Sequence, residues 1–446
     1  MADHRTDLPI RDFVICGAGP VGAACALFLR ERGIAADRIA LIDARTREAA
    51  AKDDRMIAIS HGSATLLARI GAWRGGALAH ATPITSIHIS HRGRFGRTVI
   101  DRGDYRVPAL GYVIRHGDLT HALDAALMRQ DVEVMRPMRV TAIGHNDDAL
   151  HVATTRGDGS VDAIRTHHVV HAEGGLFGEL PNSQQRRAIQ RDYRQTAITA
   201  FVTLADKTSS SLAHTAFERF TEAGPIALLP ARDAGANRAA DTGADARIDT
   251  RVNARIDTRI DARIDGYALV WCGRPEEGEE RLAMNDADFL DALHAAFGDR
   301  LGRFGTAGPR RAFPLGLHAV EQTARAHSTA SAEFAIGNAA QALHPVAGQG
   351  LNLGLRDAYV LAHLLADADA GPETNAARDA TALVARFTAS RRVDRAAIVD
   401  LTDFMPRIFA NPLAPVAWGR GLTLALLDVA RPLRGVFARQ MMNGRR

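Results

Sequence analysis

Lysine is almost absent from this chain: Lys52 and Lys207 are the only two among 55 Lys and Arg residues. Such a skew reads as codon composition, not function. Cysteine is scarce too, with three (Cys16, Cys25, Cys272) in 446 residues. They are unpaired in spacing and apolar in surroundings, which excludes a disulfide scaffold and predicts reduced thiols in a cytosolic compartment. Long apolar runs are missing. The uncharged stretch 13–29 is interrupted by Gly17, Gly19, Pro20 and Gly22, and acidic residues precede it in place of a basic region, so it does not read as a signal peptide. No other run reaches the ~18 apolar residues of a membrane span.

The remaining composition is that of a globular protein, 46% hydrophobic and 24% charged, which excludes global disorder. At roughly 150 residues per domain, the length predicts two or three domains. The net charge of +4 is unevenly placed. Residues 411–446 hold six Arg and one Asp, and the rest of the chain carries 49 basic and 50 acidic residues. Basicity is therefore a property of the tail, and no nucleic-acid-binding face is expected.

Residues 13–16 form an apolar run, GAGPVG follows at 17–22, and 23–32 reads as a helix ended by Gly33. A second apolar run, 38–42, closes on Asp43. This order of strand, glycine turn, helix, strand and acid is a dinucleotide-binding pattern. Gly17 permits the tight turn, Gly19 lets the Ala18–Gly19 backbone approach a pyrophosphate, and Gly22 permits close helix packing. The helix N-terminus faces the phosphates, and Asp43 accepts from a ribose hydroxyl. The pattern alone does not separate FAD from NAD. A second glycine-rich segment, 337–358, follows a short strand at 333–336 and opens a helix running to about Asp367. Its N-terminus would supply positive potential to a polar group of the cofactor.

GAGPVG (17–22), DDRMIAIS (53–60) and GNAAQALHPVAGQGLNLGLRDA (337–358) resemble the three spaced signatures of the class A flavoprotein aromatic hydroxylases. AFERFTEAGPIALLP (216–230), ITSIHISHRGRFG (84–96) and LVWC (269–272) are similar to that family's ubiquinone-biosynthesis branch. The resemblance implies an α/β (α+β), two-domain fold of the para-hydroxybenzoate-hydroxylase type. A Rossmann-like FAD domain would be assembled from 10–80, 105–190 and 310–370. A β-rich substrate domain would span 81–104 and 191–309, and helices 371–446. It further implies that Gly17, Ala18, Gly19 and Gly22 hold the pyrophosphate and Asp43 the adenosine ribose. Arg55 would lie beside the cofactor and Asn338 near the ribityl chain, with Pro345, Gly348, Gly350, Leu351 and Asn352 lining the isoalloxazine. The implied activity is hydroxylation of a prenylated phenol with O2, through a flavin C4a-hydroperoxide, with NAD(P)H or another donor as reductant. Two alternatives stay open: a non-catalytic flavin-binding subunit of a quinone-biosynthesis assembly, and a flavin dehydrogenase or reductase of another class. The residues name no catalytic base.

The chain departs from the pattern in two places. The middle signature, usually Ala-Asp-Gly followed by Ser and Arg, reads Ala172-Glu173-Gly174 and lacks that Ser and Arg. Between Pro230 and Tyr267 lies an insertion in which RIDT, RVNA, RIDT, RIDA and RID recur from Arg247. A helical apolar stripe at spacing four would drift about 40° per repeat. The segment 233–265 therefore reads as an expansion at a hairpin tip, without chemistry.

Residues 84–100 and 193–229 alternate as half-buried strands do. Ile198, Ala200, Val202 and Leu204 fall on one face and Thr199, Phe201 and Thr203 on the other. Phe217 and Phe220 are candidates either for lining a substrate cavity or for sheet core. His167, His168 and His171 form the densest of the histidine clusters, but no Cys or carboxylate stands at ligand spacing, so no metal is expected. The 412–446 tail sets apolar residues at three-to-four spacing among arginines, with Pro432 expected to kink it. It reads either as a helix packed on the core or as a basic amphipathic helix on an anionic membrane surface. A lipid-dissolved substrate favours the second reading, which makes the protein cytoplasmic and peripheral at the inner face of the membrane.

Overall fold

The computed structural model describes residues 10–74, 80–93, 96–146, 149–174, 188–206, 212–232, 264–343, 348–370, 379–409 and 431–444. Its first layer is a sheet whose central strand is Ile10–Cys16, flanked in parallel by Ile39–Ile42 and Val161–His171. Glu133–Met135 adds in parallel beyond Ile39–Ile42, and Ala332–Ala335 beyond Val161–His171. The residues Val14, Ile15, Ile39 and Leu41 are wholly buried, as strands covered on both faces require. An antiparallel hairpin, Met138–Asn146 and Ala149–Arg156, extends this sheet on one side.

The helix Pro20–Glu31 begins with proline at its first position, where the missing N–H costs nothing. It packs against the long helix Gln349–Ala370, with Leu27, Phe28 and Leu355 in one core. A small sheet of Met56–Ser60, Gly111–Arg115 and Thr82–Ile84 stands beside this unit.

The second large sheet is mostly antiparallel. Its order runs Gln341–Ala342, Arg311–Val320, Ala188–Leu204, Gly266–Gly273, Pro225–Ala231, Thr215–Phe220, Ser86–His91 and Arg97–Asp101. The strand Arg311–Val320, inside the 310–370 segment, thus belongs to this second sheet. The expected alternation holds along Ala188–Leu204. Ile198 and Val202, with Ala200 and Leu204 beside them, pack with Phe289, Leu293 and Phe297 of the helix Asp286–Phe297, while Phe201 turns to the other face. Asp54 and Arg311 pair across the two units, with Arg311 Nη2 2.8 Å from Asp54 Oδ2.

The chain finishes in the helices Ala380–Phe409 and Arg431–Asn443. Pro432 lies at the edge of the described part of this last helix, beside residues 410–430, which lie outside the described residues, so its expected kink is not tested. Ala438 and Met442 bury against Ile100 and Leu110, and Arg434 pairs with Asp104 at 3.1 Å. This part of the tail packs on the core. The 411–430 part, and most of the insertion 233–265, lie outside the described residues.

Candidate active site

The strand Ile10–Cys16 ends where Gly17 takes φ +98°, a conformation that favours glycine. A Cβ on Gly17 would lie 2.7 Å from the Ala172 carbonyl oxygen, and one on Gly22 would lie 1.9 Å from that of Gly17. These two glycines let strand, turn and helix touch backbone to backbone. Gly19 differs: the nearest atom to a Cβ there is Arg45 Nη2, 3.9 Å away. The middle of the turn is clear, and the helix behind it has no side-chain cap, so its first N–H groups and dipole face the open side. Asp43, only 6% exposed, accepts from the Ala18 amide and from the Arg45 amide, each at 2.8 Å. A carboxylate has further acceptor positions, which remain for a ribose. An open glycine surface, uncapped amides and a fixed buried acid together fit the diphosphate and ribose of FAD.

Arg136 braces the same turn and was not legible in the sequence. Its Nη2 donates to the Ala18 carbonyl at 3.1 Å, and its Nη1 to buried Asp124 at 2.8 Å. No spacing rule joins residues so far apart.

Arg55 ion-pairs with Asp53, Nη2 to Oδ2 at 2.6 Å, and His116 Nδ1 lies 3.2 Å from the same carboxylate. Burial pulls the Asp53 carboxyl up, but Arg55 and His116 outweigh it and hold its pKa at about 2. Burial lowers His116 to about 4 against the pull of Asp53. His116 is therefore neutral at physiological pH, with its ring beside the Asp53 carboxylate. His116 is a second residue that the sequence reading missed.

Gly348, Gly350, Leu351 and Asn352 come together with the strand Met56–Ser60 on one wall of a cavity. The Asn352 side chain is turned to bracing: it accepts from Ser60 N at 2.8 Å and donates to the carbonyls of Ala58 at 3.0 Å and Gly348 at 2.8 Å. Asn338 is exposed in the 3-10 turn Gly337–Ala339. Pro345 lies outside the described residues.

The cavity holds about 350 Å³. Isoleucines 57, 59, 84, 87, 89 and 100 supply much of its wall, and Ala438 and Met442 of the last helix close it. Phe220 and Phe217 both border it, but the Phe217 ring packs chiefly on the far face of the sheet, against Phe297 at 5.8 Å between ring centres. Glu218 lies between them on the cavity wall. The volume lies within the range of small-molecule sites.

The histidine cluster disperses on folding: His167 meets Asp12 at 3.1 Å, and His168 stacks on Phe13. The parallel register that pairs Cys16 with His171 also draws in Glu173, with donor atoms of the three within 4.8 Å of one another. His171 Nε2 lies 2.9 Å from Glu333, whose other carboxylate oxygen lies 2.6 Å from His327 Nε2. Burial first, and then the two glutamates, push the Cys16 thiol well above its ordinary pKa, so it stays protonated. The proximity arises from strand register alone, which is why linear spacing did not reveal it.

A dinucleotide turn, a second glycine segment facing it and an apolar chamber under a mixed sheet define the class of flavin-dependent monooxygenases. Residues 11–395 match the FAD binding domain family, and the chain belongs to it as an FAD-dependent monooxygenase. The chain is 31% identical over 439 residues to the ubiquinone hydroxylase UbiL of Rhodospirillum rubrum, covering 97% of this chain and 90% of that one. It is 26% identical to the 3-demethoxyubiquinol 3-hydroxylase of Escherichia coli over 97% of both chains. The human mitochondrial ubiquinone biosynthesis monooxygenase COQ6 is 25% identical, over 95% of this chain and 91% of that one. Among solved structures, p-nitrophenol 4-monooxygenase PnpA from Pseudomonas putida superposes with a TM-score of 0.67 at 15% identity, covering 98% of this chain and 99% of that one. The flavin-dependent brominase Bmp2 does so at 0.69 and 14% identity, over 98% and 94%. These two share the fold.

Proposed function

We propose that this protein hydroxylates the ring of a prenylated phenol at a step of ubiquinone biosynthesis. The observation that carries the reading is the apolar chamber bounded on one side by Gly348–Asn352 and on the other by the mixed sheet. The names of the relatives in Rhodospirillum rubrum, Escherichia coli and human supply the substrate class. When bound, FAD supplies the redox chemistry that activates O2 for transfer of one oxygen atom to the ring. NAD(P)H is the proposed electron donor.

The chain's own residues do the rest. In this reading the amides after Gly19 and the Asp43 carboxylate hold the cofactor's diphosphate and ribose. Arg55, steadied by Asp53 and His116, places a positive charge beside it. Gly348 and Gly350 let backbone approach the isoalloxazine, with Asn352 fixing their position relative to Met56–Ser60. The isoleucine wall takes up the apolar part of the substrate and keeps water from the reacting ring.

No described helix is long and apolar enough to cross a membrane. Peripheral association with an anionic membrane surface through the basic tail remains part of the proposal, supported by six Arg against one Asp in 411–446. With Arg434 committed to Asp104, exposed Arg439 is the described residue best placed for it. The direct test is turnover by the purified holoenzyme. Hydroxylated product in step with O2 and NAD(P)H consumption is expected, and oxidation of the donor with no oxygen entering the phenol would overturn the reading.

A further inference from the structure

The chamber wall is apolar except at a few points, and these differ in what they can do. Ser60 bonds to Ser63, and the Asn352 amide is held by Ser60, Ala58 and Gly348. Thr402 and Gln349 are neutral at any physiological pH. Glu218 is the one ionisable side chain among the described residues lining the chamber.

The strand Thr215–Phe220 explains its position. Successive side chains alternate between faces, so Ala216, Glu218 and Phe220 point one way while Phe217 points into the core beneath. Strand register sets Glu218 opposite Ala227 on one side and Ile89 on the other, both themselves chamber residues. The carboxylate therefore stands on the sheet wall, opposite the glycine segment on the cofactor side.

We infer that Glu218 is the base that takes the phenolic proton of the substrate, an inference that rests on the hydroxylase reading above. The phenolic O–H bond breaks, the proton passes to the carboxylate, and the electron pair moves into the ring. Electron density rises at the carbons ortho and para to the oxygen, where one oxygen atom of O2 adds as the O–O bond breaks, the other leaving as water with two electrons supplied by the donor through the bound flavin. When the attacked carbon releases its own hydrogen as a proton, the ring becomes aromatic again and the Glu218 proton returns to the phenolic oxygen. A ring held with its hydroxyl towards Glu218 presents its opposite edge to the cofactor side, so the residue orients as well as deprotonates.

The test uses the FAD-loaded full chain and a water-soluble phenol with one short prenyl group. Glu218→Gln is expected to keep flavin content and Tm and to lower hydroxylation at neutral pH about 100-fold, the usual scale for loss of a general base. Its residual activity should climb with pH towards the phenol's own pKa, and Glu218→Asp should recover part of the rate. A second readout is independent of turnover: the ultraviolet difference spectrum of the bound phenol. Wild type should show phenolate absorbance at a pH where the free phenol is neutral, and the Gln variant should not. Equal rates and an equal pH profile in wild type and Glu218→Gln would overturn the assignment. If wild type forms no hydroxylated product but still shows Glu218-dependent phenolate, the base assignment stands and the hydroxylase reading falls. If it shows neither, both fall.

Discussion

Asn352 and Ser60 are joined by a 2.8 Å hydrogen bond from the Ser60 amide to the Asn352 side-chain oxygen, tying the 53–60 segment to the second glycine-rich segment, far apart in sequence. Asn352 is 1% exposed and its two amide hydrogens go to the carbonyls of Ala58 and Gly348. Asn352→Ala strands one buried donor and two acceptors at roughly 1 to 3 kcal/mol each. Calorimetry should show a Tm several degrees lower, with weaker flavin retention on gel filtration. A variant as stable as wild type would show that water replaces the amide without loss.

Gly19 and Gly22 separate cofactor contact from folding. Because a Cβ at position 19 meets nothing closer than 3.9 Å, Gly19→Val should fold normally yet lose flavin absorbance. Gly22→Val drives a side chain into the Gly17 carbonyl, 1.9 Å from the Cβ position, and should lose both flavin and fold by circular dichroism.

Burial, with Arg300 and Arg97 nearby, lowers the His88 pKa to about 4. A histidine whose pKa falls on folding stabilises above its unfolded value, near 6.5, and that contribution is lost as pH falls towards 4. Wild type should therefore lose stability between pH 7 and pH 5. His88→Leu should flatten that drop by roughly one to three degrees of Tm. An identical pH dependence in the variant would show that His88 takes up a proton within the folded protein.

The insertion springs from a hairpin whose strands pair Ala231 with Gly266, so its two ends are neighbours. Ile264 packs against the second core and the Asp265 amide donates to Ala231. The stretch expected to be dispensable is therefore 233–263, two residues shorter than the segment 233–265 read from the sequence. Replacing it with a short Gly-Ser turn should change Tm by no more than a degree or two, since closure entropy varies slowly with loop length.

Arg434 and Arg439 should part company. Arg434→Gln removes the bond to Asp104 and should lower Tm and turnover of long- and short-chain phenols together. Arg439→Gln, on the exposed side, should spare Tm and weaken co-sedimentation with anionic vesicles. Wild-type vesicle binding by the second variant would remove Arg439 from any membrane role.

Local spacing accounts for what was legible. The Gly17–Gly22 turn and Asp43 are set by the first βαβ unit, and the period-two faces of 198–204 follow from strand geometry alone. The partnerships of Arg136 with Ala18, His116 with Asp53 and Asn352 with Ser60 are different in kind. Each joins segments brought together only by tertiary packing, and neither periodicity nor composition carries that information. Glu218 lay inside a quoted segment, yet only the register of its sheet shows which way it faces. The tail's amphipathic character was visible, but Ile100 and Leu110, which receive Ala438 and Met442, were not identifiable as its partners.

That Ala438 and Met442 close the chamber has a consequence for biogenesis. The residues proposed above to hold the cofactor all lie upstream of residue 360, so on that proposal a nascent chain assembles the flavin crevice while residues 431–443 are still inside the ribosome. The reaction chamber is complete only after Ala438 and Met442 have emerged. A chain cut short by a dozen residues would be a flavoprotein with an open wall, admitting water to the reacting ring and spending reductant on peroxide in place of product.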